Sequence, residues 1–295
     1  MGCGALLNPL VALMKQDIVT SGSVQADETG VQVLNEKGRK NTSKSLMWVF
    51  KTAGDKNSKI LYHYSPSRSA DVISSTLEDF EGYLQSDGYT AYTKFAKTKP
   101  GKITTLGCWA HARRKFVEIT KVAPKKGIAF GALKAISELY KIERQGKEEG
   151  LSFEKIQEQR QEKSKPILEE LKKFLLEHQD AVPPKGLLGG AISYTLKNWP
   201  ALSVYLERGD LEIDNNATER CIKPFAVGRK NWLFKGCVKG AEASAVIYSL
   251  IETAKSQGHN PYDYLRDIFI RLPLKIAAGE SLEDLLPYSW KPQVL

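Results

Sequence analysis

The sequence predicts an α/β protein in which a mixed five-stranded sheet flanked by helices is interrupted by a large all-helical insertion. Three observations carry that reading. Three short apolar runs, parted by turn residues, occupy the first part of the chain. Strand and helix patterns then alternate as far as residue 120. The stretch 121–206 that follows has helical spacing and no strand signal.

Taken in order, residues 1–22 read as a short apolar helical end and a Thr-Ser-Gly-Ser loop. Val24 to Leu34 alternates like a strand around Asp27. Leu46-Met47-Trp48-Val49-Phe50 is a continuous apolar run, as in a strand buried on both faces. Ile60 to Tyr64 is a third strand. Asn35 to Gly38 and Gly54 to Asn57 supply turns between them, so an antiparallel meander follows. A helix is expected over 69–80, with Val72, Ile73, Thr76, Leu77 and Phe80 on one face and Gly82 ending it. Strands at 83–87 and 103–108 then alternate with helices at 89–97 and 109–120. The order β-β-β-α-β-α-β-α is the ribonuclease H-like plan, an analogy of fold that by itself says little about function.

Beyond residue 120, Lys141 to Asp180 is rich in charge, while Ile167, Leu168, Leu171, Phe174 and Leu175 recur at helical spacing. Amphipathic helices with solvated charged faces are expected, broken at Val182 to Gly186 and resumed over 191–206. Residues 207–240 show few regular elements. An apolar helix is expected over 241–257, ended by Gly258. Asn260 then caps a helix that opens on Pro261 and runs to about Leu272. Leu285 to Trp290 reads as an apolar tail packed on the body.

Composition narrows the functions open to such a chain. Of 295 residues, 42% are hydrophobic and 26% charged, which excludes disorder of the whole chain. Lys and Arg number 43 against 34 Asp and Glu, so the net charge of +9 favours a polyanionic partner, most simply nucleic acid. No apolar run reaches the roughly 18 residues that span a bilayer. The N-terminus lacks a basic lead and a small-x-small cleavage site, and position 6 is Leu6 where a myristoylation signal needs Ser or Thr. A cytoplasmic, nucleoid-associated protein with no membrane partner is expected. The four cysteines and four histidines are dispersed, which argues against a disulfide scaffold or structural zinc.

Three acids stand out. Asp27 lies within the first strand, and Asp87 ends the fourth inside Gln85-Ser86-Asp87-Gly88-Tyr89. First and fourth strands are neighbours in a ribonuclease H-like sheet, so the two carboxylates would lie side by side and repel unless cations neutralise them. Mg²⁺ takes such oxygen ligands. Two ions about 3.5–4 Å apart can activate a water or a 3′-hydroxyl and stabilise the leaving oxygen of a phosphodiester. Glu219, in the first turn of a helix capped by Asn216, is the candidate third ligand; Asn-x-x-Glu also reads as a capping box. Asp-Gly at residues 87–88 is equally a good turn. Arg113, Arg114 and Lys115 follow the fifth strand on a helix. Gly228 to Gly236 mixes Arg229, Lys230 and Lys235 with Trp232 and Phe234, as backbone contacts and base stacking need, although core packing explains the aromatics equally well.

These motifs together resemble the insertion-sequence-66 family of bacterial transposases, of the DDE class. The matching blocks are Ala26 to Thr29, Tyr64 to Ser69, Gln85 to Tyr89, Cys108 to Phe116, Ile213 to Arg220 and Gly228 to Phe234. The Asp-Asn-Asn-x-x-Glu-Arg and Gly-Arg-Lys-Asn-Trp blocks are the specific ones. The resemblance implies that Asp27, Asp87 and Glu219 are the catalytic and metal-binding triad, holding two Mg²⁺ or Mn²⁺ ions. It implies that Arg113, Arg114, Lys115, Arg220, Arg229, Lys230 and Trp232 meet DNA. It also implies a division into a helical remnant (1–22), the first part of a catalytic domain (23–120), a helical insertion (121–206), a second part carrying Glu219 (207–258) and a C-terminal helical element (259–295). Members of the family look longer at the N-terminus, so the chain is expected to be an N-terminally truncated catalytic core.

The expected function is thus two-metal-ion DNA cleavage and strand transfer at transposon ends. Transposon and target DNA are the partners, with a homo-oligomer and accessory transposition proteins as further ones. Two other readings compete: a ribonuclease H-like nuclease that only hydrolyses, and a non-enzymatic DNA-binding remnant that inhibits a full-length relative.

Overall fold

A computed structural model of the chain describes residues 2–54, 58–121 and 127–292. It is an α/β protein with a mixed five-stranded sheet flanked by helices. The strands are β1 (Ser23–Gln32), β2 (Lys44–Thr52), β3 (Ile60–Ser65), β4 (Gly82–Gln85) and β5 (Ile103–Leu106), in the spatial order β3-β2-β1-β4-β5. β1 and β2 pair antiparallel with Asp27 opposite Val49, and β2 pairs antiparallel with β3. The meander read from the turn residues is therefore present; Asp55, Lys56 and Asn57 of its second turn lie outside the described residues. The chain divides into two compact units. The first holds Met1–Leu84, Thr90–Ile103 and Ala217–Leu295, and the second holds Gln85–Tyr89 and Thr104–Asn216.

In the first unit, α1 (Gly2–Val19) precedes β1, α2 (Ala70–Thr76) follows β3, and α3 (Thr90–Thr98) follows β4. Three long helices come later in the chain: α10 (Asn216–Trp232), α11 (Val238–Ser256) and α12 (Pro261–Ala278). One sheet face offers Val31, Val33, Met47, Val49, Ile60, Tyr62 and Tyr64, all buried, to Phe225 of α10 and to Ala241 and Ala245 of α11. β3 is an edge strand whose outward N–H groups need partners. Ser249 and Thr253 of α11 supply them: their hydroxyls accept from Tyr62 N (2.8 Å) and Ile60 N (3.0 Å). One helical turn and two strand residues advance nearly the same distance, about 6 Å, so an i, i+4 pair matches alternate strand positions.

The second unit contains α4 (Trp109–Thr120), α5 (Ile128–Glu148), α6 (Phe153–Gln159), α7 (Lys165–Gln179), α8 (Leu187–Lys197) and α9 (Trp199–Ser203), with a π turn at Arg160–Ser164. Leu168, Leu171 and Leu175 are buried at the spacing read from the sequence. Among the described residues no helix is long and apolar enough to cross a membrane.

Three expectations are corrected. The helix expected over 69–80 stops at Thr76, and Gly82 does not end it but opens β4 at φ +128°. The helix expected over 191–206 is two helices and a 3₁₀ turn, parted at Asn198 before Pro200. Residues 207–240, read as showing few regular elements, carry a 17-residue helix, α10; the helix expected to start at Asn216 with Glu219 in its first turn is present and runs on through Pro224 and Gly228 to Trp232. Proline in a helix interior costs about 3 kcal/mol, and the full burial of neighbouring Phe225 offsets it. Gly228 permits close packing: a Cβ there would stand 2.7 Å from the Tyr248 hydroxyl of α11 and 2.9 Å from Trp232 Nε1.

Gly82 is the glycine with the least latitude. A Cβ would collide with the carbonyl oxygen of Gly22 and stand 3.0 Å from its Cα, at a φ that L-residues avoid. Gly82→Ala is expected to lose about 2–4 kcal/mol by summing strain and overpacking, read as a lower urea midpoint with the slope unchanged.

Candidate active site

The first unit contributes Asp27 and Glu219. β1 is buried from Ser23 to Ala26, half-exposed from Asp27 to Gly30 and buried again at Val31, so the acid sits at the start of the strand's more open stretch. Asp27 Oδ1 accepts the N–H of Glu28 at 2.8 Å. Glu28 points to the opposite face, as strand alternation requires. Its carboxylate, 3% exposed, accepts from Arg68 Nε (2.6 Å) and from the Tyr92 hydroxyl (2.7 Å). Glu28 therefore fixes the β3–α2 loop and α3 to the sheet.

Two side-chain bonds lay α10 along β1. The Thr218 hydroxyl donates to Gln25 Oε1 at 2.9 Å, with both residues buried. Arg229 donates to the Gly30 carbonyl and, at 3.4 Å, to Thr29 Oγ1. From residue 218 to 229 a helix rises about 17 Å; from residue 25 to 30 a strand advances about 17 Å. Helix and strand therefore run side by side in the same direction. Gln25 and Asp27 share one strand face, and Glu219 directly follows Thr218, so the first turn of α10 lies beside the half of β1 that holds Gln25 and Asp27. The helix begins under an Asx turn, the Asp214 carboxylate accepting the Asn216 N–H at 3.0 Å, which is an end-capping role the sequence had offered to Asn216 and Glu219.

The second unit contributes Asp87, two residues beyond β4. Its Oδ1 accepts the Tyr89 N–H at 2.8 Å, and its carbonyl accepts the Tyr194 hydroxyl of α8 at 2.8 Å. Gln85 ties this segment to the carbonyls of Gly107 (3.0 Å) and Glu212 (2.7 Å). Asp214, the first residue of the Asp-Asn-Asn-x-x-Glu-Arg block and given no role by the sequence reading, accepts from the Tyr140 hydroxyl of α5 at 2.7 Å and from Asn216 Nδ2 at 2.8 Å. Burial, then the charge of Asp214, pushes the Tyr140 hydroxyl far above the ordinary phenol range.

The basic residues divide by their surroundings. Arg113, Arg114, Lys115, Arg220 and Lys230 are exposed, and Lys115 Nζ stands 4.5 Å over the Tyr194 ring. Arg229 is half-buried and joins α10 to β1 as described. Trp232 packs edge-on against Phe225 at 5.2 Å, with Lys235 Nζ 3.7 Å from its ring centre, so it belongs to the packing of the first unit.

As donors, three carboxylates suit Mg²⁺ or Mn²⁺, hard cations that take oxygen ligands. Among the described residues no group of three His, Cys, Asp or Glu side chains is gathered closely enough to hold a metal. Asp27 and Glu219 belong to one unit and Asp87 to the other. The chemistry of the donors fits the ion; a closed set of three is not among the observed clusters.

Comparison with known proteins adds an independent finding. Residues 1–243 match the family described as Transposase IS66 family, and residues 249–288 match the IS66 C-terminal element. The uncharacterized protein y4jD of Sinorhizobium fredii is 37% identical over 295 residues, covering 97% of this chain and 57% of y4jD. The uncharacterized proteins y4qI and y4hP of the same organism are 34% and 30% identical, covering 92% and 97% of this chain and 51% and 54% of their own lengths. The chain thus spans about half the length of these curated relatives.

Proposed function

The chain belongs to the IS66 family of transposases, and from that premise we propose that it carries the catalytic acids for DNA strand cleavage and strand transfer at transposon ends. The observation that supports this reading most is the run of α10 along β1. It lays the first turn, which carries Glu219, along the half of the strand that holds Gln25 and Asp27, although 192 residues separate Asp27 and Glu219 in sequence. The strand order, a meander followed by strands alternating with helices, agrees with a ribonuclease H-like catalytic domain.

In this reading Asp27, Asp87 and Glu219 would hold two Mg²⁺ or Mn²⁺ ions. Bound there, such ions supply an activated oxygen nucleophile and charge neutralisation at the scissile phosphate. The chain's own part is positional. Backbone bonds orient the Asp27 and Asp87 carboxylates, and the Thr218–Gln25 bond fixes the turn that presents Glu219. Glu28 is excluded as a ligand because Arg68 and Tyr92 occupy it. Exposed Arg113, Arg114, Lys115 and Arg220 would neutralise DNA phosphates along the approach, with Lys230 further down α10.

A pre-cut transposon end separates transposition from simple hydrolysis. With Mg²⁺, the chain is expected to join the free 3′-hydroxyl of a labelled end to a target duplex, giving branched products on a denaturing gel. Hydrolysis without joining would leave only the nuclease reading. Neither product, together with no heat of Mg²⁺ or Mn²⁺ binding at millimolar concentration, would leave a DNA-binding remnant.

A further inference from the structure

We propose that the concavity between α4 and α5 is a seat for a DNA backbone phosphate, and that Arg144 is its third cation. The inference deepens the nucleic-acid reading above by assigning a site and a residue that neither the motifs nor the family match single out.

Helical phase builds the site. Ala110, Arg113, Arg114 and Val117 fall at spacings of three, four and seven on α4, and Ser137, Tyr140 and Arg144 fall at three and seven on α5. Each set therefore occupies one helix face. The two faces, with Asn216, enclose a cavity of about 420 Å³ in which every charged lining residue is an arginine. Asp214 bonds two of the lining residues without lining the cavity itself. Its oxygens hold the Tyr140 hydroxyl at 2.7 Å and the Asn216 amide at 2.8 Å, which fixes two lining residues.

Arg113, Arg114 and Arg144 bring three positive charges to one concavity with no acid in its lining, which favours an anion there. Arginine presents a planar fork that matches phosphate oxygens with paired N–H donors, and it keeps its charge at any physiological pH. The three arginines are exposed, so a long polyanion can reach them. The volume exceeds that of one phosphate group, as a strand passing through the seat requires.

The test is binding of a 30-base-pair duplex to the full chain by fluorescence anisotropy across a salt series in EDTA, where neither metal nor cleavage enters. Arg144→Glu is compared with Lys172→Glu, which changes net charge equally from an exposed position on α7. The proposal expects R144E to bind about tenfold more weakly at 0.1 M salt, with the slope of log K against log salt shallower by about one. K172E should stay within about twofold of the parent. Equal losses in both variants would overturn the proposal, since net charge alone would explain them. So would unchanged DNA binding by R144E, including the case in which R144E loses only inorganic phosphate in a titration, which would mark a free-anion site. Because the assay reads no chemistry, its failure leaves the catalytic reading standing, and inactive catalytic acids leave this reading standing.

Discussion

Asp27→Asn, Asp87→Asn and Glu219→Gln are each expected to lower Mg²⁺-dependent strand cleavage by about 10³-fold or more, while DNA affinity in EDTA stays within about threefold. Each replacement keeps the shape and hydrogen-bonding oxygen of the side chain and removes the negative charge a divalent cation needs. Asn at position 87 can still accept the Tyr89 N–H, and Asn at 27 the Glu28 N–H, so the local turns survive. Glu28→Gln is the internal control. It weakens the tie to Arg68 and Tyr92, lowering thermal stability, yet it should leave per-molecule cleavage within a few-fold because that carboxylate is already occupied. A cleavage loss in E28Q as deep as in D27N would mean that the acids act through the stability of β1. Mg²⁺-dependent nicking retained in any of the three main variants would remove that residue from the proposed triad.

Local patterns made much of this molecule legible. The apolar runs at 46–50 and 60–64 mark strands because nothing else with that burial fits between two turns, and Trp109 to Thr120 is helical over the residues expected. What local pattern misjudged was set by long-range packing. Residues 207–240 read as showing few regular elements beyond a helix start at Asn216; Phe225 in the core and the close approach of Tyr248 at Gly228 explain why α10 runs on to Trp232. The candidate site divides the same way. Asp27 and Glu219 were named from motif and fold position, but the device that aligns their elements, Thr218 on Gln25, is a pairing of neutral polar residues across 193 positions that carries no signature in sequence. Arg144 was hidden for a related reason. It sits in a highly charged helix that read as a solvated face, and only the packing of α5 on α4 turns it toward Arg113 and Arg114.

The same charged stretch conceals the ion pair on which the second unit depends. Arg160 is 2% exposed and Glu143 8% exposed in their side chains. All five guanidinium donors are used: two meet the Glu143 oxygens at 2.8 and 2.6 Å, and the others meet the carbonyls of Tyr205 (2.7 Å), Arg208 (2.6 Å) and Leu211 (2.8 Å). One side chain thus holds α5, the π turn and the 205–211 segment together. Arg160→Met is expected to cost about 3–5 kcal/mol, because it leaves a buried carboxylate uncompensated and takes the Arg160 donors from the buried carbonyls of Tyr205 and Leu211. Arg160→Lys should recover little, since an ammonium has three donors and no planar fork. The double variant R160M/E143L tests which interaction dominates. Replacing a buried ion pair by apolar residues is often neutral, but the buried Tyr205 and Leu211 carbonyls would still lose their Arg160 donors, so the double variant should remain about 2 kcal/mol or more below the parent. Full recovery of the denaturation midpoint in that variant would show that the Glu143 charge alone made Arg160 necessary, and that the carbonyl bonds contribute little.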